Sequence, residues 1–348
     1  MKKGFALVMA SMMALSLTAC GGNASSATTA ADTSAADTKA EGTTAAAPAD
    51  KIGLAGSGKE LIFTTGGDQG TYYGFGSVLA GQISDMTDTT VTAIVGKGSK
   101  GNIEAMDAGD AQLGFVQSDV MAYAYNGTNL FDGAKVDGFS TVAALYMEQV
   151  QIVTLNPDIK TVADLKGKTV SVGDSGSGVY FNALDCLGAY GLTIDDITPT
   201  YQSFGDSVEA MQDGKIDAAF IVAGAPTTAV TSLAATRKVY LVELDDEHID
   251  KLIETSPYYS KYTIAKDAYG LDADATTVAV GAVVVARDDV DENDIYNVVA
   301  GIYDSIDTLG HDKKNELDLD FAASVTAVPY HKGAAKYFAE KGLTVPTK

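Results

Sequence analysis

Short apolar runs and longer amphipathic ones alternate along most of this chain. Strand-like runs fall at 61–64, 91–95, 113–116, 140–146, 151–155, 169–172, 216–221 and 239–242. Helical spacing of apolar positions follows several of them, at 73–84, 101–108, 120–125, 179–189 and 207–212. Strands alternating with helices of this length predict parallel βαβ units. Residues 161–168 read as a short helical turn stopped at Gly167 before a strand. A long β-type run covers 276–286, and a last helix, 333–340, ends at a glycine stop, Gly342.

The stretch 61–76, LIFTTGGDQGTYYGFG, organises the rest. An apolar strand breaks into a loop without bulky side chains and then enters a helix. Two readings are open: a tight turn that needs glycine, or a helix N-terminus presenting N–H groups and hydroxyls to an anion. Gly67, Gly70, Thr71, Tyr72 and Tyr73 are the candidates, and which tyrosine faces outward is undecided. A second strand, loop and helix of the same chemistry follows at 169–189, with Ser175, Gly176, Ser177 and Gly178 in its loop. Two such sites in separate halves predict a ligand clasped between two α/β units.

Other segments carry weaker signals. Residues 96–101 contain G-x-G-x-x-G after a strand, with Asp119 near the spacing a dinucleotide site requires, but the pattern alone is weak. The alternative is a small-ligand loop using Ser99 and Asn102, with Lys97 or Lys100 as a cation or as solvated surface. Gly173–Ser177 resembles a serine-protease nucleophile loop through Ser175. However, Ser177 replaces the expected glycine, and all three histidines lie downstream. Glu148 falls where the chain leaves the first half, as a ligand-orienting or a hinge residue. Gly224, in a Gly-Ala-Pro turn after a strand, is a candidate from the second half. Tyr258 and Tyr259 read as surface packing, and no cluster has metal-ligand spacing.

Composition narrows this picture. A net charge of −22 opposes nucleic acid and anionic lipid as partners, and only two arginines, Arg237 and Arg287, are present. An anion would therefore be held by backbone and hydroxyl groups. Lys2 and Lys3, an apolar stretch at 5–17, and Leu17-Thr18-Ala19-Cys20-Gly21 describe a lipoprotein signal. The stretch is shorter than the ~20 residues a spanning helix needs. Residues 1–19 are read as the signal, Cys20 as the lipidated residue, and 20–57 as a disordered linker rich in Ala, Thr and Ser. Cys186 is then a core thiol without a disulfide partner. The remaining length fits two domains.

Taken in order, Thr65-Gly66-Gly67 with Gly70-Thr71-Tyr72-Tyr73, Gly98-Ser99 with Asn102, Gln117-Ser118-Asp119, Tyr146 with Glu148, 162–168, Ser175–Gly178, 213–218 and His331–Ala334 resemble one family. It is that of the TAXI-type solute receptors of TRAP transporters. The resemblance covers 58–343. It departs from the family at Gly96-Lys97-Gly98, which adds a cation near the cleft, and at Lys332. It implies an α/β, two-lobed, type II periplasmic-binding-protein-like fold, with lobe 1 at 58–148 plus 281–348 and lobe 2 at 149–280. It also implies a lipid-anchored extracytoplasmic receptor for a carboxylate or amino acid, such as glutamate, glutamine or 2-oxoglutarate, which delivers it to a TRAP permease. The implied ligand set adds Gln117, Asp119 and Glu148 to the loop residues. No cofactor, nucleic acid or catalysis is expected. The rival expectations are a receptor for an ATP-driven importer, a serine hydrolase using Ser175, and a surface antigen without transport.

Overall fold

The computed structural model describes residues 51–348. The expected signal, the lipidated Cys20 and most of the expected linker lie outside these residues. The first part of the chain runs β1 (Glu60–Thr64), α1 (Thr71–Met86), β2 (Thr90–Ile94), α2 (Ser99–Ala108), β3 (Leu113–Gln117) and α3 (Ser118–Asn126). A long strand, β4 (Phe139–Thr154), leads into β5 (Thr169–Ser171), α4 (Val179–Ala189), β6 (Thr198–Thr200), α5 (Phe204–Gln212) and β7 (Ala218–Ala223). Then come α6 (Thr228–Ala234), β8 (Tyr240–Val242), α7 (Asp246–Thr255), β9 (Ser260–Ile264) and a second long strand, β10 (Ala275–Arg287). The chain closes with α8 (Glu292–Tyr303), α9 (Leu319–Ala322) and α10 (Lys332–Glu340).

The sheet order is β2-β1-β3-β10-β4-β7-β5-β6, with β8 paired to β4 and β9 to β10. As expected of βαβ units, β1 is parallel to β2 and β3, and β5 is parallel to β6 and β7. The long strands run antiparallel to their neighbours. The sheet is therefore mixed. The pattern predicted separate strands at 140–146 and 151–155, whereas β4 is continuous. Polar Glu148, Gln149 and Gln151 interrupt the apolar run, but backbone pairing to β10 and β7 carries the strand through them.

Alternation across the sheet builds a core on each face. In β10, Ala282, Val284 and Ala286 join the cluster with Phe63, Phe75, Leu79 and Tyr337, while Val283 and Val285 join Ile103, Met106, Val120 and Phe131. Farther along the same strands the partners change. Val150, Ile152, Val278 and Val280 pack with Val170, Leu187 and Phe220, and Val153 packs with Ile221 and Leu233. Both long strands thus pass from one pair of cores to another, between Tyr146 and Val150 and between Val280 and Ala282. Strands buried on both faces read as apolar runs, which is why β7 was legible without alternation. The amphipathic α7 and α8 follow the antiparallel strands β8 and β10, so the βαβ pattern did not anticipate them, and α6, though it follows the parallel strand β7, is too weakly periodic to show.

Candidate functional site

The groups β1–β3 and β5–β7 run in opposite directions along successive stretches of the long strands, so the loops after their strands face one another, and such strand ends are where these folds bind ligands. Four of these loops end in a helix N-terminus at one cleft. Gly70–Tyr72 open α1, Gly98–Ser99 open α2, Gly178–Val179 open α4, and Ser203–Gly205 open α5. Gly66, Gly67, Asp68 and Gln69 line the cleft before α1, and Lys97 before α2; Gln117 and Glu148 rise from β3 and β4. The cleft has about 640 Å³ of empty space, its open mouth included. The first N–H groups of each helix have no intrahelical acceptor and carry the positive end of the helix dipole.

The loops owe their shape to glycine at a few points. Gly98 has φ +84°, and Gly173 and Gly176 lie at +85° and +91°, the left-handed region that disfavours a side chain. At Gly178 space rather than φ decides. A Cβ there would stand 1.6 Å from Gln117 Oε1 and 2.7 Å from Ser99 Oγ. The two halves meet through this gap. Gly101 N–H donates to Gly176 O (2.9 Å), Ala229 N–H to Gln69 O (3.2 Å), and Thr71 Oγ1 to Gly224 O (3.0 Å). Gln117 Nε2 donates to Asn182 Oδ1 (2.8 Å).

Of the expected site residues, Gly67, Gly70, Thr71, Tyr72, Ser99, Gln117, Glu148, Ser177 and Gly178 line the cleft. The undecided tyrosine is resolved: Tyr72 stacks on Phe115 with ring centroids 4.6 Å apart and reaches the cleft, whereas Tyr73 does not line it. Asn102 is sealed behind the wall. It accepts from Thr64 Oγ1 and donates to Thr65 O and Phe115 O, which ties the ends of β1 and β3 together. Gly224 sits one shell back, where a Cβ would stand 2.5 Å from Lys313 Cε. Ser175 is exposed, and Gly176 contributes its carbonyl to α2 rather than lining the cleft. Ser175 hydrogen-bonds no base among the described residues, so the nucleophile arrangement is not assembled. Lys97 lines the cleft, while Lys100 pairs with Glu104 along α2.

Two carboxyls in or behind the wall are buried. Glu148, 2% exposed, accepts from Tyr72 OH at 2.6 Å, and loss of water pushes its carboxyl up to about 8. The same burial, with the Glu148 charge nearby, holds the Tyr72 hydroxyl well above its ordinary value. Asp119 is fully buried and raised to about 7, chiefly by desolvation. Its Oδ2 accepts from Asn182 Nδ2 at 3.0 Å, and its Oδ1 has no partner. Asn182 also donates to Tyr259 OH, which donates on to Asp185 (2.9 Å). Tyr259 is buried in this network, which corrects its reading as surface packing: the turn after Pro257 folds it inward against α4. Ser177 Oγ is a further buried polar atom without a partner, and Ser177 lines the cleft.

The pattern missed two contributors. The α5 N-terminus was signalled by Ser203 three residues before Asp206, a capping spacing that the predicted helix start at 207 overlooked; Ser203 Oγ accepts from Asp206 N–H at 3.1 Å. Lys313 is the other. Buried at 4% exposure, it donates to Ala225 O and pairs with Glu316, and nothing local in its segment predicts this.

The model of the NMT1-like family matches residues 63–342. The chain belongs to that family. The match is to the NMT1-like family as a whole and does not reach the finer TAXI assignment that the motifs suggest. This NMT1-like chain is 43% identical over 70 residues to the putative aliphatic sulfonates-binding protein of Escherichia coli K12. That match spans 20% of the chain and 22% of the relative. Among solved structures, MatC from Rhodopseudomonas palustris with bound malate has a TM-score of 0.51 at 14% identity, covering 74% of this chain and 86% of that one. An alkanesulfonate-binding protein from Xanthomonas axonopodis, bound to MOPS, has a TM-score of 0.47 at 17% identity, covering 80% and 83%. The NMT1-like chain has an α/β, periplasmic-binding-protein-like fold. By name, the Escherichia coli and Xanthomonas axonopodis proteins are solute-binding proteins.

Proposed function

We propose that this protein is an extracytoplasmic receptor that captures a small anionic solute between two lobes and hands it to an ABC-type importer. The observation that carries this reading is the convergence of four helix N-termini, with Lys97 beside them, on one cleft. Each terminus favours negative charge, and together they replace the arginine clamp that the composition does not provide. The lobes are 58–148 plus 281–348 and 149–280, and hinge motion would centre where β4 and β10 change cores. Gly67, Gly70, Thr71, Tyr72, Ser99, Gln117, Ser177 and Gly178 are the contacts we assign. A lipid on Cys20 would tether the receptor to the membrane.

The sulfonate-binding name of the locally similar relative favours an oxyanion solute over glutamate. Short dicarboxylates share the negative sign and the oxyanion chemistry and remain in the solute class. A ligand that binds only the folded state raises the melting temperature by mass action. One of a panel of C1–C4 alkanesulfonates and short dicarboxylates at millimolar concentration is expected to do so by several degrees. No shift with any of them would overturn the anion reading. Uptake by proteoliposomes holding receptor and cognate permease should require ATP. Uptake driven by an ion gradient alone would restore the TRAP alternative.

A further inference from the structure

An anion cleft with a buried carboxyl in its wall poses a conflict. Glu148 lies among the lining residues, yet an ionised side chain there would repel the ligand that the helix N-termini attract. Its Oε2 is taken by Tyr72 OH, whereas Oε1 has no protein partner among the described residues. Nor is Oε1 sealed in, because the buried partnerless side-chain atoms are those of Asp119, Tyr146, Ser177 and Asp294. One oxygen of Glu148 therefore opens on the cleft with nothing to bond there. Among the described residues the nearby buried cation is Lys313, and it is engaged by Ala225 O and Glu316.

We propose that Glu148 acts in the cleft as a neutral carboxylic acid, donating a hydrogen bond from Oε1 to an oxygen of the bound anion, and that it thereby selects anions without an ammonium group. This rests on the receptor reading above and specifies its solute class. The groups facing Glu148 agree with a retained proton. Tyr72 from α1 and Tyr146 from its own strand stay neutral, and Asp119 behind the wall adds negative charge, against a smaller opposing effect of Lys313. In the cleft, Asp68 and Asp174 oppose Lys97. Desolvation, the largest cause, is what raises Glu148 to about 8. A bound anion raises it further, so capture near pH 8 takes up a proton from solvent.

Size-matched probes test this. Ethanesulfonate and 2-aminoethanesulfonate differ by one ammonium group, and calorimetry at pH 8 in two buffers of unlike ionisation enthalpy counts protons. Ethanesulfonate is expected to bind at least tenfold tighter, with proton uptake. Its affinity should fall about tenfold per pH unit well above pH 8. Glu148→Gln keeps the N–H donor and the Tyr72 bond, so it should retain affinity within about threefold at pH 7 and lose the alkaline decline. Preference for the amino sulfonate with proton release would overturn the proposal in favour of an ionised Glu148 reading an ammonium. A wild-type pH profile that Glu148→Gln does not change would also overturn it. In ligand-free protein, carbon-13 spectra of the glutamate carboxyls, with Glu148→Gln for assignment, should show one midpoint above pH 7. An ordinary midpoint refutes the proposal even where the receptor reading survives. If neither probe nor malate binds at any pH, the anion reading falls and the donor role with it, whatever the midpoint.

Discussion

Gly178 and Asn182 show how single positions join the halves. Gly178→Ala sets a methyl where Gln117 Oε1 now lies, so Gln117 must swing away and the Gln117–Asn182 bond is lost. Anion affinity is expected to fall at least tenfold with a melting temperature within a few degrees of wild type; unchanged calorimetric affinity would contradict the contact we assign. Asn182→Ala removes partners from Gln117, Tyr259 and Asp119 at once. Buried groups left unpaired cost about 1–3 kcal/mol each when nothing replaces the partner. A loss of about 2–4 kcal/mol in urea unfolding is expected, and a loss under 0.5 would show that water repairs the site. Neither role was legible locally. Gly178 was singled out as a loop glycine, but its crowding comes from Gln117, sixty-one positions upstream. Asn182 reads as an ordinary polar residue in α4.

At the level of elements, helix starts carry both stability and function. Ser203 caps α5, and Ser203→Ala should cost about 1 kcal/mol, read as a lowered urea midpoint. It should also weaken anion binding, because fraying displaces the N–H groups of Phe204 and Gly205 at the cleft. Equal affinity in a destabilised variant would remove α5 from the site. The starts of α1, α2 and α4 were foreseeable, since each follows an apolar strand and a glycine loop. That of α5 was half hidden, because β6 (Thr198–Thr200) is too short and polar to announce itself. Continuity of β4 was not foreseeable at all. Its polar middle is stabilised by neighbours on both sides, and those neighbours are distant in sequence.

Over the whole molecule, titration and charge yield two further outcomes. Asp119 and Glu148 bind protons more tightly folded than unfolded. Their stabilisation is therefore complete below the ordinary carboxyl range and is lost as pH rises through about 7 and 8. His331 and His311, both lowered by burial, act in the opposite direction, their contribution being lost as pH falls below the ordinary histidine range. The comparison that isolates the carboxyls is wild type against Asp119→Asn/Glu148→Gln between pH 5 and 8.5. The wild type should lose more melting temperature across that range, and parallel profiles would refute the buried-acid assignment. The net charge of −22 predicts that association of an anion speeds up from 10 to 150 mM salt, as the global repulsion is screened. Slower association in stopped flow would mean that the local field of the helix starts dominates at long range. What the sequence determined by itself was the alternation of strands and helices, the glycine loops between them and the scarcity of arginine. These are local properties, set by periodicity, backbone freedom and composition. Only the tertiary structure decided that four loops share one cleft, that Tyr72 rather than Tyr73 reaches it, and that Lys313 and Tyr259 are buried beside it. Those outcomes depend on the sheet order, which inserts β10 between β3 and β4, and on the opposed directions of β1–β3 and β5–β7, which turn loops far apart in the chain toward the same cleft.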